Sequence, residues 1–261
     1  MGILDYIKLF IHYLTTPLRI IIFIIACNVF HKIGECCNTP TALHMFQMLL
    51  GKIMMAIFGF NVEIADDDLV RYSQYLYSDE KLIVVFNHTT VIDGHILMAT
   101  FERFSAVLLN VPAYKWIGYS DVIHEKYKNV WVEKNKTTND IIDRVTNRKS
   151  GNPILFIAPG SGNVSANPDN ITEFKGTGAF AGKFNVLPVT IQYEDDSIHH
   201  NNDNGESFVH STLKLFITHY NYKIKIKVGN LIEYEENESI EDYKNRVYNI
   251  MNVQYQAMKK S

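Results

Sequence analysis

His88 and Asp93 stand in the run Phe86-Asn87-His88-Thr89-Thr90-Val91-Ile92-Asp93. A neutral imidazole takes a proton from a hydroxyl near neutral pH. A neighbouring carboxylate fixes its tautomer and stabilises the imidazolium that forms. The run follows directly on the apolar stretch Leu82–Phe86. Groups just past the C-terminal end of a buried strand are held by the sheet yet reachable by a ligand. Spacing alone favours the plainer arrangement, a satisfied histidine in a turn and an aspartate at a helix N-terminus. Ser161 with His88 would be a second nucleophilic arrangement. The local sequence Pro159-Gly160-Ser161-Gly162-Asn163 lacks the glycine that a nucleophile elbow places two residues before its serine. His199 and His200 lack a third ligand at metal-binding spacing, and the polar stretch around them, 194–206, reads as a solvated loop.

Elements that alternate in period position these residues. Short apolar runs predict strands at Asn61–Ile64, Leu82–Phe86, Ala106–Leu109, Val130–Val132, Ile154–Ile157, Val186–Tyr193 and Tyr222–Val228. Between them, helical spacing predicts helices over Gly94–Phe104, Thr138–Asn147, Lys175–Phe184, Phe208–Ile217 and Ile240–Met258, with Thr138, Asn139 and Ser239 as caps. Such alternation implies an α/β domain with a mixed, mostly parallel sheet flanked by helices. Lys223, Lys225 and Lys227 alternate as on a solvated strand face.

Residues 1–60 differ from the rest. Ile20–Phe30 is almost unbroken apolar sequence, shorter than the roughly twenty residues of a full span. Pro17 and Arg19 separate it from the apolar residues of Ile3–Leu14, which predicts a kinked or re-entrant helix. Leu43–Phe60 carries His44, Gln47, Gly51 and Lys52 on one side of a helix, with a broad apolar face that would lie in a membrane interface. The boundary at residue 60 predicts membrane-associating helices over 1–60 and a catalytic domain over 61–261. Tyr6 spoils an N-terminal myristoylation motif. The three cysteines, Cys27, Cys36 and Cys37, do not form a disulfide framework and suit a reducing environment. A net charge of −3 with no concentrated basic face argues against a nucleic-acid partner.

Asn87-His88-x-x-x-x-Asp93 after an apolar strand resembles the signature of the lysophospholipid and glycerol-phosphate acyltransferases, the family of 1-acylglycerol-3-phosphate acyltransferases. Three further stretches follow in that family's order. Pro112–Gly118 with Val130-Trp131-Val132-Glu133-Lys134 resembles its acceptor-site block, Glu133 and Lys134 replacing an Asp-Arg pair. Leu155–Ser161 stands where the family has Phe-Pro-Glu-Gly-Thr. Phe174-Lys175-Gly176-Thr177-Gly178-Ala179-Phe180 resembles a Phe-Lys-x-Gly-Ala-Phe block and leads into Val186–Ile191, like the family's Pro-Val strand. The departure is the missing glutamate, with Pro159 or Gly160 in its place, which bears on the acceptor more than on the reaction.

The resemblance implies acyl transfer from acyl-CoA, a co-substrate, to a hydroxyl of a lysophospholipid or other glycerolipid. His88 would be general base and Asp93 its orienting partner. Asn87, Lys134, Gly160, Ser161, Gly162 and Lys175 would contact substrate, and N–H groups of the Pro159–Gly162 turn would receive the oxyanion. No bound cofactor or metal is implied. The setting would be a membrane, reached by a monotopic helix or one to two short spans, with the catalytic domain facing the cytoplasm. The alternative is a lipid-binding protein of the same fold without turnover.

Overall fold

The computed structural model describes residues 3–90, 92–108, 115, 117–133, 136–160, 169–194 and 222–260. The chain opens with two helices, α1 (Ile3–Cys36) and α2 (Pro40–Phe58), and then alternates. There follow β1 (Phe60–Ile64), α3 (Asp66–Leu76), β2 (Leu82–Phe86), α4 (Asp93–Thr100), β3 (Phe104–Leu108), α5 (Asp121–Lys126), β4 (Val130–Trp131) and α6 (Thr137–Thr146). After β5 (Ile154–Ile157) come β6 (Asn185–Tyr193), β7 (Tyr222–Val228) and α7 (Ile240–Lys260). The strands form one seven-stranded sheet in the order β1-β7-β6-β2-β5-β3-β4. All neighbouring pairs are parallel except β6 with β7.

The sheet is covered on both faces, as a parallel sheet must be. β2 shows why its run is continuous. Leu82, Val84 and Phe86 join a core with Phe23 and Cys27 of α1, Leu50 and Met54 of α2, Tyr72 of α3 and Ile96 of α4. Ile83 and Val85 face the opposite core, with Ile141 and Val145 of α6 and Tyr243, Val247 and Met251 of α7. All seven expected strands are present, three with the expected bounds and four displaced by one or two residues at one or both ends. Lys223 and Lys227 lie exposed on alternate positions of β7, paired with Glu63 at 3.7 Å and Asp68 at 3.5 Å. Ser239 caps α7, accepting the Asp242 N–H at 3.1 Å.

Several expectations are corrected. Residues 175–184 hold only a short 3-10 turn, Gly178–Phe180. Gly176 at φ +78° and Lys183 at φ +53° take left-handed conformations that end helical hydrogen bonding on either side. Thr138 and Asn139 do not cap α6, whose N-cap is Lys136. Thr137 instead closes the preceding turn, its Oγ1 accepting the Glu133 N–H at 2.7 Å. The expected helix 208–217 lies outside the described residues, as do His199 and His200.

The N-terminal helices also differ from expectation. α1 runs unbroken through Pro17, and Phe10–Cys36, 27 residues, is long and apolar enough to cross a bilayer. Thr15 and Thr16 bond back to Ile11 O at 2.8 Å and His12 O at 2.7 Å around the proline, where its ring leaves the helix short of an N–H. In α2 most of the polar stripe turns inward, Lys52 alone of its four residues being exposed. His44 and Gln47 are buried and bond to each other at 3.0 Å, while Met45 and Leu49 are exposed.

The C-terminal part of α1 is fastened to the domain. Lys126 Nζ donates to the carbonyls of Gly34, Glu35 and Cys37, satisfying a helix end whose acceptors have no partner within the helix. Ser120 Oγ donates to Glu35 Oε1 at 2.7 Å, and His31 Nδ1 donates to Ile117 O at 2.7 Å. Gly51 sets the seating of α2 on α4, since a Cβ there would lie 2.7 Å from the Ala99 backbone nitrogen. Gly51→Val is therefore expected to lower stability by ~1–3 kcal/mol through overpacking, read as a reduced thermal midpoint.

Candidate active site

β2 lies inside the sheet between β5 and β6, parallel to both, so its C-terminal end opens between two strand ends of the same direction. Ligands of open α/β sheets bind at such carboxyl ends. The residue after β2, Asn87, is buried and hydrogen-bonds both backbone groups of Ile191. Its Nδ2 donates to the Ile191 carbonyl at 2.8 Å, and its Oδ1 accepts the Ile191 N–H at 2.7 Å. Asn87, expected at the substrate, thus uses its side-chain amide to lock the end of β2 to β6.

Past Asn87 the chain turns sharply, Asp93 N donating to Thr90 O at 3.3 Å, and Asp93 begins α4. A carboxylate there complements the positive end of the helix dipole. Asp93 is fully buried and its Oδ2 gathers three donors: Thr89 N at 2.6 Å, Thr90 N at 2.9 Å and His88 Nδ1 at 2.7 Å. Its Oδ1 accepts the Thr90 hydroxyl at 3.1 Å and the Tyr193 hydroxyl. Thr90 Oγ1 also lies 3.1 Å from Tyr193 Oη.

An ionised carboxylate only accepts, so the 2.7 Å contact puts the histidine proton on Nδ1 and the lone pair on Nε2. Among the described residues, Nε2 has no hydrogen-bond partner, and the His88 side chain keeps 33% of its surface accessible. The arrangement is a proton acceptor held rigidly by a buried anion.

The register Val85↔Ile157 brings the turn after β5 alongside residues 86–88. Gly160 belongs to this turn, packed so closely that a Cβ would meet Thr172 at 3.3 Å. Lys175 is tied to the same turn by its N–H to Pro159 O at 3.0 Å, and its side chain is exposed. The structure therefore brings His88, Asp93, Asn87, Gly160 and Lys175 to one end of the sheet. Ser161, Gly162 and Lys134 lie outside the described residues.

A separate cleft of about 410 Å³ opens beside β4, lined by Trp131, Glu133, Lys136, Asp140 and Arg144 among others, and His88 is not part of its wall. Its charges partly compensate one another, Lys136 reaching Glu133 at 3.6 Å and Asp140 at 3.9 Å. Burial pulls the Arg144 guanidinium down to about 10. Tyr193 is the site residue that sequence reasoning missed. It reads as the last apolar residue of a strand, and only its hydroxyl marked it for a polar contact.

The family model described as Acyltransferase matches residues 69–192, from within α3 to the penultimate residue of β6. No curated protein matches the chain. Among solved structures, the chain is similar to the 1-acyl-sn-glycerophosphate (LPA) acyltransferase, PlsC, from Thermotoga maritima. The TM-score is 0.63, with 13% identity over 98% of each chain, a likeness of fold.

Proposed function

We propose that this chain, whose residues 69–192 match the Acyltransferase family model, moves a fatty acyl group from acyl-CoA to a hydroxyl of a lysophospholipid or related glycerolipid at a membrane. The observation that carries this reading is the 2.7 Å contact between His88 Nδ1 and the buried Asp93 carboxylate, which leaves Nε2 as a proton acceptor. On this reading Nε2 takes the proton of the acceptor hydroxyl as its oxygen attacks the thioester carbonyl. Asp93 stabilises the imidazolium. Collapse of the tetrahedral intermediate breaks the carbon–sulfur bond, and His88 returns the proton to the departing thiolate. Backbone N–H groups of the turn after β5 would receive the oxyanion on this reading. Lys175 supplies a positive charge for a phosphate of donor or acceptor.

The exposed side of α1 supports the membrane setting. Phe10 and Leu14 are 66% and 70% exposed, and Ile7, Ile11, Leu18, Ile21 and Ile25 continue an apolar surface along the helix. An apolar patch of that extent marks a lipid or protein contact. The protein is expected to float with liposomes and to need detergent for extraction. A monodisperse monomer that ignores liposomes would remove the membrane from this proposal.

The reaction is tested by incubating detergent-solubilised protein with labelled acyl-CoA. The acceptors are glycerol-3-phosphate, several lysophospholipids, and mono- and diacylglycerol. Transfer to one class identifies the acceptor. Absence of transfer to all of them, with lipid binding intact, would point to a lipid-binding protein without turnover.

A further inference from the structure

We propose that Tyr193 is a positioning residue of the His88–Asp93 pair, its hydroxyl holding the far oxygen of Asp93 so that the near oxygen faces the imidazole. The effect on catalysis rests on the acyltransfer reading above; the effect on His88 does not.

Tyr193 is the last residue of β6 and is 1% exposed. Its hydroxyl donates to Asp93 Oδ1 and lies 3.1 Å from Thr90 Oγ1, while Asp93 Oδ2 holds His88 and two backbone N–H groups. The two carboxylate oxygens thus have separate duties, and among the described residues Tyr193 supplies the one donor to Asp93 that comes from outside the β2–α4 turn. A ring placed there only to fill space would need no hydroxyl, and a buried phenol without partners is unfavourable. Phenylalanine would pack equally well on Tyr222, whose ring centroid is 6.1 Å away.

Burial first, and then the Asp93 carboxylate beside it, push the Tyr193 phenol well above its ordinary value, so it stays a donor. Among the described residues, the titratable groups around it are Asp93 on α4, His88 in the turn and Tyr222 on β7.

The sign of the effect follows from charge. A donor on Oδ1 draws off part of the carboxylate's negative charge. Without it, Asp93 stabilises the imidazolium more strongly and the His88 pKa rises. A general base must be unprotonated, so the acid limb of the activity profile moves to higher pH.

The test is a ¹⁵N-histidine NMR titration of the full chain in detergent, with His88 assigned by the resonance lost in His88→Ala. In Tyr193→Phe the His88 pKa is expected to rise by roughly half a unit or more. With acyl transfer running in parallel, kcat falls about tenfold and KM changes little. An unmoved His88 titration in a folded Tyr193→Phe protein overturns the proposal. If Tyr193→Phe does not fold, 3-fluorotyrosine at position 193 keeps the shape and strengthens the donor. A lowered His88 pKa then supports the proposal and an unchanged one overturns it. A wild-type protein that transfers no acyl group would sink the acyltransfer reading and leave the titration to decide the role of Tyr193.

Discussion

His88→Ala is expected to lower acyl transfer by ~10²–10⁴-fold, the usual contribution of a positioned general base, with the thermal midpoint little changed. The imidazole is part-exposed and its one hydrogen bond within the described structure is to Asp93. Removing it leaves Asp93 with Thr89 N, Thr90 N, Thr90 Oγ1 and Tyr193 Oη still bonded. Asp93→Ala behaves differently. It deprives two buried backbone N–H groups and a buried phenol of their acceptor, each such loss costing ~1–3 kcal/mol. Activity and stability should therefore fall together in Asp93→Ala and separate in His88→Ala. Thermal melts beside initial rates make the comparison. Equal destabilisation of both variants, or full activity in His88→Ala, would contradict this account.

Arg148→Met should lower stability by ~3–5 kcal/mol through the loss of several buried hydrogen bonds. Arg148 is 2% exposed and acts where no catalytic role is in view. Its Nη2 donates to Tyr75 O at 2.8 Å and Leu76 O at 2.7 Å, closing the C-terminal end of α3. Its Nη1 reaches Glu80 O at 2.9 Å and Ser78 O at 3.3 Å, just before β2. One guanidinium thereby joins α3, the entry to β2 and the segment leading to β5. Methionine fills similar volume but leaves five carbonyls, Asn152 O at 3.4 Å from Nε included, without these donors. For a domain of this size a loss of ~3 kcal/mol corresponds to a fall in thermal midpoint of roughly 6–12 °C. A shift within experimental error would show that water replaces the guanidinium without loss.

The strands were legible because buried parallel strands are short apolar runs, and Leu82–Phe86 and Ile154–Ile157 are buried at every position. The His88–Asp93 pairing was legible because both residues belong to one turn. Long-range hydrogen bonding was not. Asn87 looked like a ligand contact, and only the approach of β6 reveals that its amide completes the sheet. The helices α3 and α5 were not among the expected elements: α3 opens on Asp66-Asp67-Asp68, with a short apolar stripe through Leu69, Tyr72 and Leu76, and α5 is only six residues long. The inward turn of His44 and Gln47 reversed the rule that polar residues face out, because these two satisfy each other inside the packing. In 175–184, apolar content suggested a helix where the backbone of Gly176 and Lys183 forbids one.

Asp93 takes both turn N–H groups and the imidazole on a single oxygen, so most of the geometry of the pair is contained between Asn87 and Asp93. Such a unit is nearly modular. Exchange of the segments that follow β3, β5 or β6 leaves the hydrogen bonds within this turn untouched, provided that Ile191 and Tyr193 keep their places. A lineage carrying this turn is free to redesign what it recognises without rebuilding the proposed proton acceptor. Libraries seeking new acceptors are best confined to those neighbouring loops, with the eight residues from Phe86 to Asp93 left intact.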